Sequence, residues 1–350
     1  MRSDVAVRTH LRPLEPFFAQ DDVTEISINR PQEVWLARQG HPYMESHSVP
    51  ELDLNRLDTL AQLIAQYSDQ EVTAEHPLLS AKTPEGFRIQ VVRTPAVEPG
   101  LIGMSIRKPS MLDVDLDWYE GRNAFAFVNT RPADEELMET QMLEAYQQQR
   151  FRDFIEEAIC ARKNILISAG TDTGKTTFLN AALKAIDPRE RIITIEDTRE
   201  VRLKQPNALH LLASRGAQGQ AKVTPQDLLE ACLRLRPNRI IMGELRGVEA
   251  FTYLEAINSG HPGSLTTVHA DSPEFALERM ALMIMRAGTP MTKPEIMAYL
   301  KLTVPIIVQF TKDETGNRFI SQIYYEKAAK TYRTSEASSV FGDIAHAGNC

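Results

Sequence analysis

Ile165-Leu166-Ile167-Ser168-Ala169-Gly170-Thr171-Asp172-Thr173-Gly174-Lys175-Thr176-Thr177 is the stretch on which the reading of this chain turns. An apolar run of strand character enters a loop carrying Gly170 and Gly174. A helical stretch comes next, with Phe178, Leu179, Ala181, Ala182 and Leu183 as its apolar content. The spacing Ala169-x4-Gly174-Lys175-Thr176 fits a phosphate-binding loop with Ala at the first position, where Gly is commoner. Glycine at 174 lets backbone wrap phosphate oxygens, successive N–H groups of residues 172 to 177 act as donors, and the helix N-terminus adds partial positive charge. The pattern therefore names Gly170, Thr171, Asp172, Thr173, Gly174, Lys175, Thr176 and Thr177 as nucleotide contacts. Lys175 reaches the β- and γ-phosphates as a point charge, and the Thr176 hydroxyl ligates Mg²⁺. ATP with Mg²⁺ is the expected ligand pair and hydrolysis the expected reaction. Guanine nucleotides are disfavoured, because no Asn-Lys-x-Asp segment occurs. Asp172 stands out, since an acid in such a loop opposes phosphate unless it points outward.

Downstream, apolar strands alternate with helices. Residues 164–169, 191–196, 239–243 and 263–268 read as strands and 228–235 as a helix. The helix that opens this half carries Phe151, Phe154, Ile155, Ala158 and Ile159 at helical spacing. This alternation predicts an α/β domain with a mostly parallel sheet covered on both faces. Two of its strands end in acids: Ile192-Ile193-Thr194-Ile195-Glu196-Asp197 and Arg239-Ile240-Ile241-Met242-Gly243-Glu244, the latter with Gly243 where an Asp normally sits. Parallel sheets bind ligands beyond the carboxyl ends of their strands. Carboxylates there can orient an attacking water or hold the water shell of a metal.

The first hundred or so residues predict a smaller mixed α+β unit. Residues 11–18 and 53–67 have helical character, the latter with Leu54, Leu57, Leu60, Leu63 and Ile64 on one face. Residues 23–28, 33–36, 88–92 and 102–107 read as strands. The expected organisation is an N-terminal domain over 1–108, an acidic linker over 109–148 that turns helical toward its end, a P-loop domain over 149–333 and a disordered tail over 334–350. A net charge of −8 argues against stable DNA binding by the whole molecule. Cys160, Cys232 and Cys350 are scattered and give neither a disulfide framework nor zinc spacing. No apolar run reaches membrane-spanning length and the N-terminus lacks a signal peptide, so a soluble cytoplasmic protein with at most peripheral membrane contact is expected.

A further run, Gly260-His261-Pro262-Gly263-Ser264-Leu265-Thr266-Thr267-Val268-His269-Ala270, completes an ordered set. Together with the P-loop, Ile195-Glu196-Asp197-Thr198-Arg199-Glu200 and Met242-Gly243-Glu244-Leu245-Arg246, it resembles the Walker A, Asp box, Walker B and His box of the secretion superfamily of hexameric traffic ATPases. The set covers residues 150–330. Gly86-Phe87-Arg88-Ile89-Gln90 and Ser105-Ile106-Arg107-Lys108-Pro109-Ser110 are similar to N-terminal segments of the VirB-type members, which serve type IV secretion and conjugation. The resemblance implies a RecA-like P-loop domain and a homohexamer at the cytoplasmic face of the inner membrane. It also implies other secretion-system subunits as partners and a protein or DNA complex as secreted substrate. It makes Lys175, Glu196, Glu244 and His269 catalytic, Arg88 and Arg107 phosphate contacts, and Glu244 or Glu196 an aid to Mg²⁺ through water. Gly243 is then a family trait and no sign of a dead site. His261 reads as a satisfied loop histidine. The rivals are a pilus-retraction or type II secretion motor, a DNA-translocating helicase, and a nucleotide-binding scaffold with little turnover.

Overall fold

The computed structural model describes residues 2–109, 114–130, 133–214 and 221–331. The expected tail at 334–350 and residues 110–113 and 131–132 of the expected linker lie outside the described residues. The chain forms two compact units, the first from 1–116, 187–244 and 251–261, the second from 117–186, 245–250 and 262–350.

In the first unit, strands β1 (Val23–Ile28), β2 (Glu33–Arg38), β3 (Glu45–Ser48), β4 (Leu78–Lys82), β5 (Arg88–Arg93) and β6 (Ile102–Arg107) form an antiparallel sheet ordered β3-β2-β1-β6-β5-β4. The helix Leu54–Tyr67 covers it, its N-terminus capped by Asp53, whose carboxylate accepts from the Arg56 N–H at 2.7 Å. Leu57, Leu60 and Ile64 are fully buried, as their spacing predicts. The helical stretch expected at 11–18 begins earlier, as a helix over Arg2–Leu11. Pro13 and Pro16 then break the chain into a 3₁₀ turn, Arg12–Leu14, and a single turn, Glu15–Phe18. Val7, Leu11, Ile26, Leu60, Val91 and Ile106 belong to one apolar cluster drawn wholly from residues 7–106. Three parallel strands, β8 (Ile192–Glu196), β9 (Ala208–Leu212) and β10 (Arg239–Met242), lie in the order β10-β8-β9 in the same unit. Gly103 allows the approach of β9, because a Cβ there would sit 2.6 Å from Leu209 Cδ2. The helix expected at 228–235 runs over Pro225–Cys232, started by a capping box between Thr224 and Asp227.

In the second unit, β7 (Ile165–Ala169) lies between β11 (Leu265–Val268) and β12 (Ile306–Lys312), parallel to both, and β13 (Arg318–Tyr325) pairs antiparallel with β12. Every residue of β7 is buried, which is why it reads as a continuous apolar run. Asn164 fastens its start, accepting from the Ser264 N–H at 3.0 Å and donating to the Thr303 carbonyl at 2.8 Å. The described part of the expected linker does become helical, over Ala133–Gln147. Its acids are not all a solvated surface, however. Glu139 bonds Lys163 at 2.9 Å and Lys327 at 2.8 Å, and these two ammonium groups hold its carboxyl down to about 2. Met142 and Ala145 are fully buried, and the Tyr146 ring packs edge-on against Phe154 and Tyr325.

Candidate functional site

The loop after β7 takes the shape its glycine foretells. Gly174, at φ +92, precedes the helix Lys175–Ala182. A side chain in that left-handed conformation would be strained. Thr173 is buried and its hydroxyl donates to the Gly170 carbonyl at 2.9 Å, closing the loop on itself. Lys175 folds back over it, its Nζ donating to the carbonyls of Gly170 at 2.8 Å and Ala169 at 3.1 Å. The same ammonium lies 3.1 Å from His269 Nδ1. An ammonium only donates, so Nδ1 is the nitrogen placed to accept from it. The structure thus brings together two residues 94 positions apart that the sequence motifs assign to one reaction centre.

His269 sits just beyond β11, on a segment fixed from behind. The Ala270 carbonyl accepts from Gln309 Nε2 at 3.1 Å and Ser168 Oγ at 3.3 Å. Neither supporting residue is legible as functional in the sequence, since only the strand register reveals that β7, β11 and β12 are neighbours. A cavity of about 450 Å³ opens beside the loop, lined by Gly170, Thr171, His269, Asp271, Phe275 and Arg279 among others.

Glu196 and Glu244 belong to the first unit, at the carboxyl ends of the adjacent parallel strands β8 and β10. Glu196 is 5% exposed, and its Oε1 accepts from the backbone N–H groups of Glu200 and Val201, each at 2.8 Å. Its Oε2 accepts from the Thr194 hydroxyl at 3.2 Å, which in turn lies 2.8 Å from His210 Nδ1. Burial pushes His210 down to about 4, so it is a neutral donor into this chain. The glycine at 243 now has a physical reason. A Cβ there would lie 3.3 Å from Glu196 Cγ, so an Asp at this position would crowd the acid of the neighbouring strand.

Arg88 and Arg107 also lie in the first unit, directly opposite each other across β5 and β6. Gly86, at φ +84, closes the hairpin that puts Arg88 at the start of its strand. Like charges facing across a ladder repel. Both arginines line a cavity of about 790 Å³ with Lys82 and Arg234, and with Ser80 and Gln90 as neutral donors. Four cations around one cavity give it a positive field that favours anionic groups. His261 is a loop histidine whose Nδ1 bonds the Ala256 carbonyl at 3.0 Å.

Among the described residues, no group of three or more His, Cys, Asp or Glu could hold a metal ion, and no helix is long and apolar enough to cross a membrane.

The family of type II/IV secretion system proteins matches residues 8–332. The chain is 38% identical to the type IV secretion system protein VirB11 of Bartonella henselae over 333 residues, covering 91% of this chain and 93% of that protein. It is 36% identical over 327 residues to the type IV secretion system protein PtlH of Bordetella pertussis, covering 91% and 95%. The crystal structure of the VirB11 ATPase of the Brucella suis type IV secretion system, in complex with sulphate, superposes with a TM-score of 0.86 at 34% identity, over 95% of this chain and 98% of that one.

Proposed function

The chain belongs to the type II/IV secretion system protein family and is an ATPase of the type IV secretion kind; from that premise we propose how its residues divide the work. The 3.1 Å approach of Lys175 Nζ to His269 Nδ1 carries the reading. Lys175 leaves the loop carbonyls for the β- and γ-phosphates, and His269 offers its Nε2 proton to the γ-phosphate. Gly170, Thr171, Asp172, Thr173, Gly174, Thr176 and Thr177 complete the cradle. Mg²⁺, when bound, would supply charge neutralisation on the phosphates. Thr176 would hold it from the protein side, with phosphates and water as the other ligands, as suits an ion that keeps most of its hydration. Glu244 orients the attacking water. Glu196, already held by three donors, fixes the turn after β8 and reaches the metal only through water. Arg88 and Arg107 take nucleotide phosphate, which their mutual repulsion and the cationic cavity around them support.

At the level of the machine, the proposed assembly is a homohexamer at the cytoplasmic face of the inner membrane. It docks on other secretion-system subunits and energises their assembly or the transfer of a protein or DNA complex, as in conjugation. Membrane attachment is peripheral, and the net charge of −8 favours no stable DNA binding. The proposed working division is 1–108, 109–148 and 149–333, supported by the apolar cluster confined to residues 7–106.

Phosphate release by the purified protein tests the site. Lys175→Ala and Glu244→Gln are each expected to lose about a hundredfold or more, and native mass with ATP and Mg²⁺ to report a six-chain species. Turnover in Lys175→Ala equal to wild type sinks the assignment, and a monomer under all conditions sinks the ring.

A further inference from the structure

Asp172 puts a carboxylate into a loop shaped for phosphates, and the structure supplies its counterweight. Its backbone is left-handed at φ +57, a conformation that Asp tolerates better than most residues. Its Oδ1 lies 2.6 Å from Arg318 Nη2, and its own carbonyl accepts from Arg318 Nε at 3.1 Å. The guanidinium fork thus grips side chain and backbone of one loop residue together, from two nitrogens held in a fixed plane. Arg318 Cδ also lies 3.5 Å from where a Cβ of Gly174 would be, so the same side chain borders both positive-φ residues of the loop. Lys312, facing Arg318 across the β12–β13 ladder, stands 4.0 Å from Asp172 Oδ2.

Arg318 is placed by a stiff hairpin. Asp313 Oδ1 accepts from Thr315 N at 2.9 Å, Thr315 Oγ1 at 2.6 Å and Asn317 N at 2.9 Å, and Gly316 sits at φ +87. The strand before the turn is anchored to the loop's own elements. Phe310 is in register with Ala169, and its ring lies 4.9 Å from that of Phe178 on the loop's helix. The hairpin therefore presents a cation at a defined point beside the phosphate cradle.

We propose that Arg318 is a positioning residue for ATP binding: by neutralising Asp172 and gripping its carbonyl, it holds the phosphate loop open to polyanions. Arg318 acts through Asp172 and does not itself take the nucleotide. The pair is exposed, with side chains 49% and 69% accessible, so its contribution to overall stability is small. Its effect falls on nucleotide affinity, where an unmatched carboxylate within a few ångströms of incoming phosphates is repulsive.

The proposal rests on reading residues 169–177 as the phosphate cradle, and the experiment separates the two. Steady-state ATP hydrolysis and binding of a fluorescent ATP analogue are measured for wild type, Lys175→Ala, Arg318→Gln, Arg318→Lys and the double variant Asp172→Asn/Arg318→Gln. Arg318→Gln is expected to raise KM for ATP about threefold to tenfold with kcat within about twofold. Arg318→Lys falls between it and wild type. The rise shrinks as salt is taken from about 0.05 to about 0.5 M. The double variant is expected to have a clearly lower KM than Arg318→Gln, because removing the acid removes the need for its partner. An unchanged KM in Arg318→Gln overturns the proposal, and so does a double variant as impaired as the single, which would make Arg318 a direct nucleotide contact. A fall in kcat at constant KM overturns it as well. Nucleotide binding undiminished in Lys175→Ala would instead remove the cradle reading itself.

Discussion

His210 shows how much a single buried ring can carry. It donates to Thr194, and Thr194 to Glu196, so the orientation of an acid at the end of β8 depends on a neutral imidazole on β9. Burial has lowered that imidazole to about 4, against about 6.5 in an unfolded chain. Between those values the unfolded chain binds a proton that the folded one refuses. The stabilisation is therefore complete above about pH 6.5 and is lost as the pH falls toward 4. The unfolding temperature should drop between pH 7 and pH 5 more in wild type than in His210→Gln, read by differential scanning fluorimetry. Parallel slopes would exclude His210 as the source. Nothing in the sequence around His210 marks it. Its partner is 16 positions away and is reached only through the parallel pairing of β8 with β9. Gly243 is the opposite case. Its departure from the usual acid is plain in the sequence, while the reason, Glu196 Cγ at 3.3 Å, needs the register of β8 against β10.

At the scale of elements, a buried ion pair ties the segment just before β8 to the start of β10. Arg239, the first residue of β10, donates from Nη2 to Glu190 Oε1 at 2.7 Å and from Nε to Oε2 at 2.9 Å, with both side chains at most 4% exposed. Breaking such a pair by removing one partner leaves a buried charge, whereas replacing both with apolar groups removes the desolvation cost as well. Glu190→Ala is expected to lose about 3–5 kcal/mol of unfolding free energy, and Glu190→Leu/Arg239→Met to recover most of it, both by urea titration. Equal losses in the two variants would show that the pair itself, and not its desolvated charge, carries the stability. Elements with period and caps are legible: the helix Leu54–Tyr67 announces itself by its leucines, and β7 by its unbroken apolar run. The helix Ala133–Gln147 reads as acidic and solvated because the lysines that match Glu139 are 24 and 188 positions away. The hairpin β12–β13 is hidden for a similar reason, its exposed outer strand having no clean alternation.

Over the whole molecule, composition and motif order are enough for the α/β class and the secretion ATPase family. The grouping of the chain into compact units is not legible, because residues 187–244 and 251–261 join 1–116 through contacts between distant segments. Arg191 is the clearest of these: fully buried on the 187–244 segment, it donates to Asn29 at 2.7 Å. The apolar cluster nevertheless stays within residues 7–106. A fragment of residues 1–108 is accordingly expected to fold alone, with a cooperative but lower-temperature unfolding transition by circular dichroism. A broad, non-cooperative melt would show that the polar contacts of Asn29 are indispensable.

The ammonium of Lys175 already has protein partners, two loop carbonyls and an imidazole nitrogen. In the proposed site, nucleotide arrival would be an exchange reaction in which these internal partners are displaced by an anionic ligand. Measured affinity reports only the difference between the two sets. A ligand carrying little charge gains almost nothing from the swap, while a triphosphate gains a full charge–charge interaction. The internal set would act in this way as a threshold that favours strongly charged competitors, and when the products leave, the lysine would have a waiting place to return to.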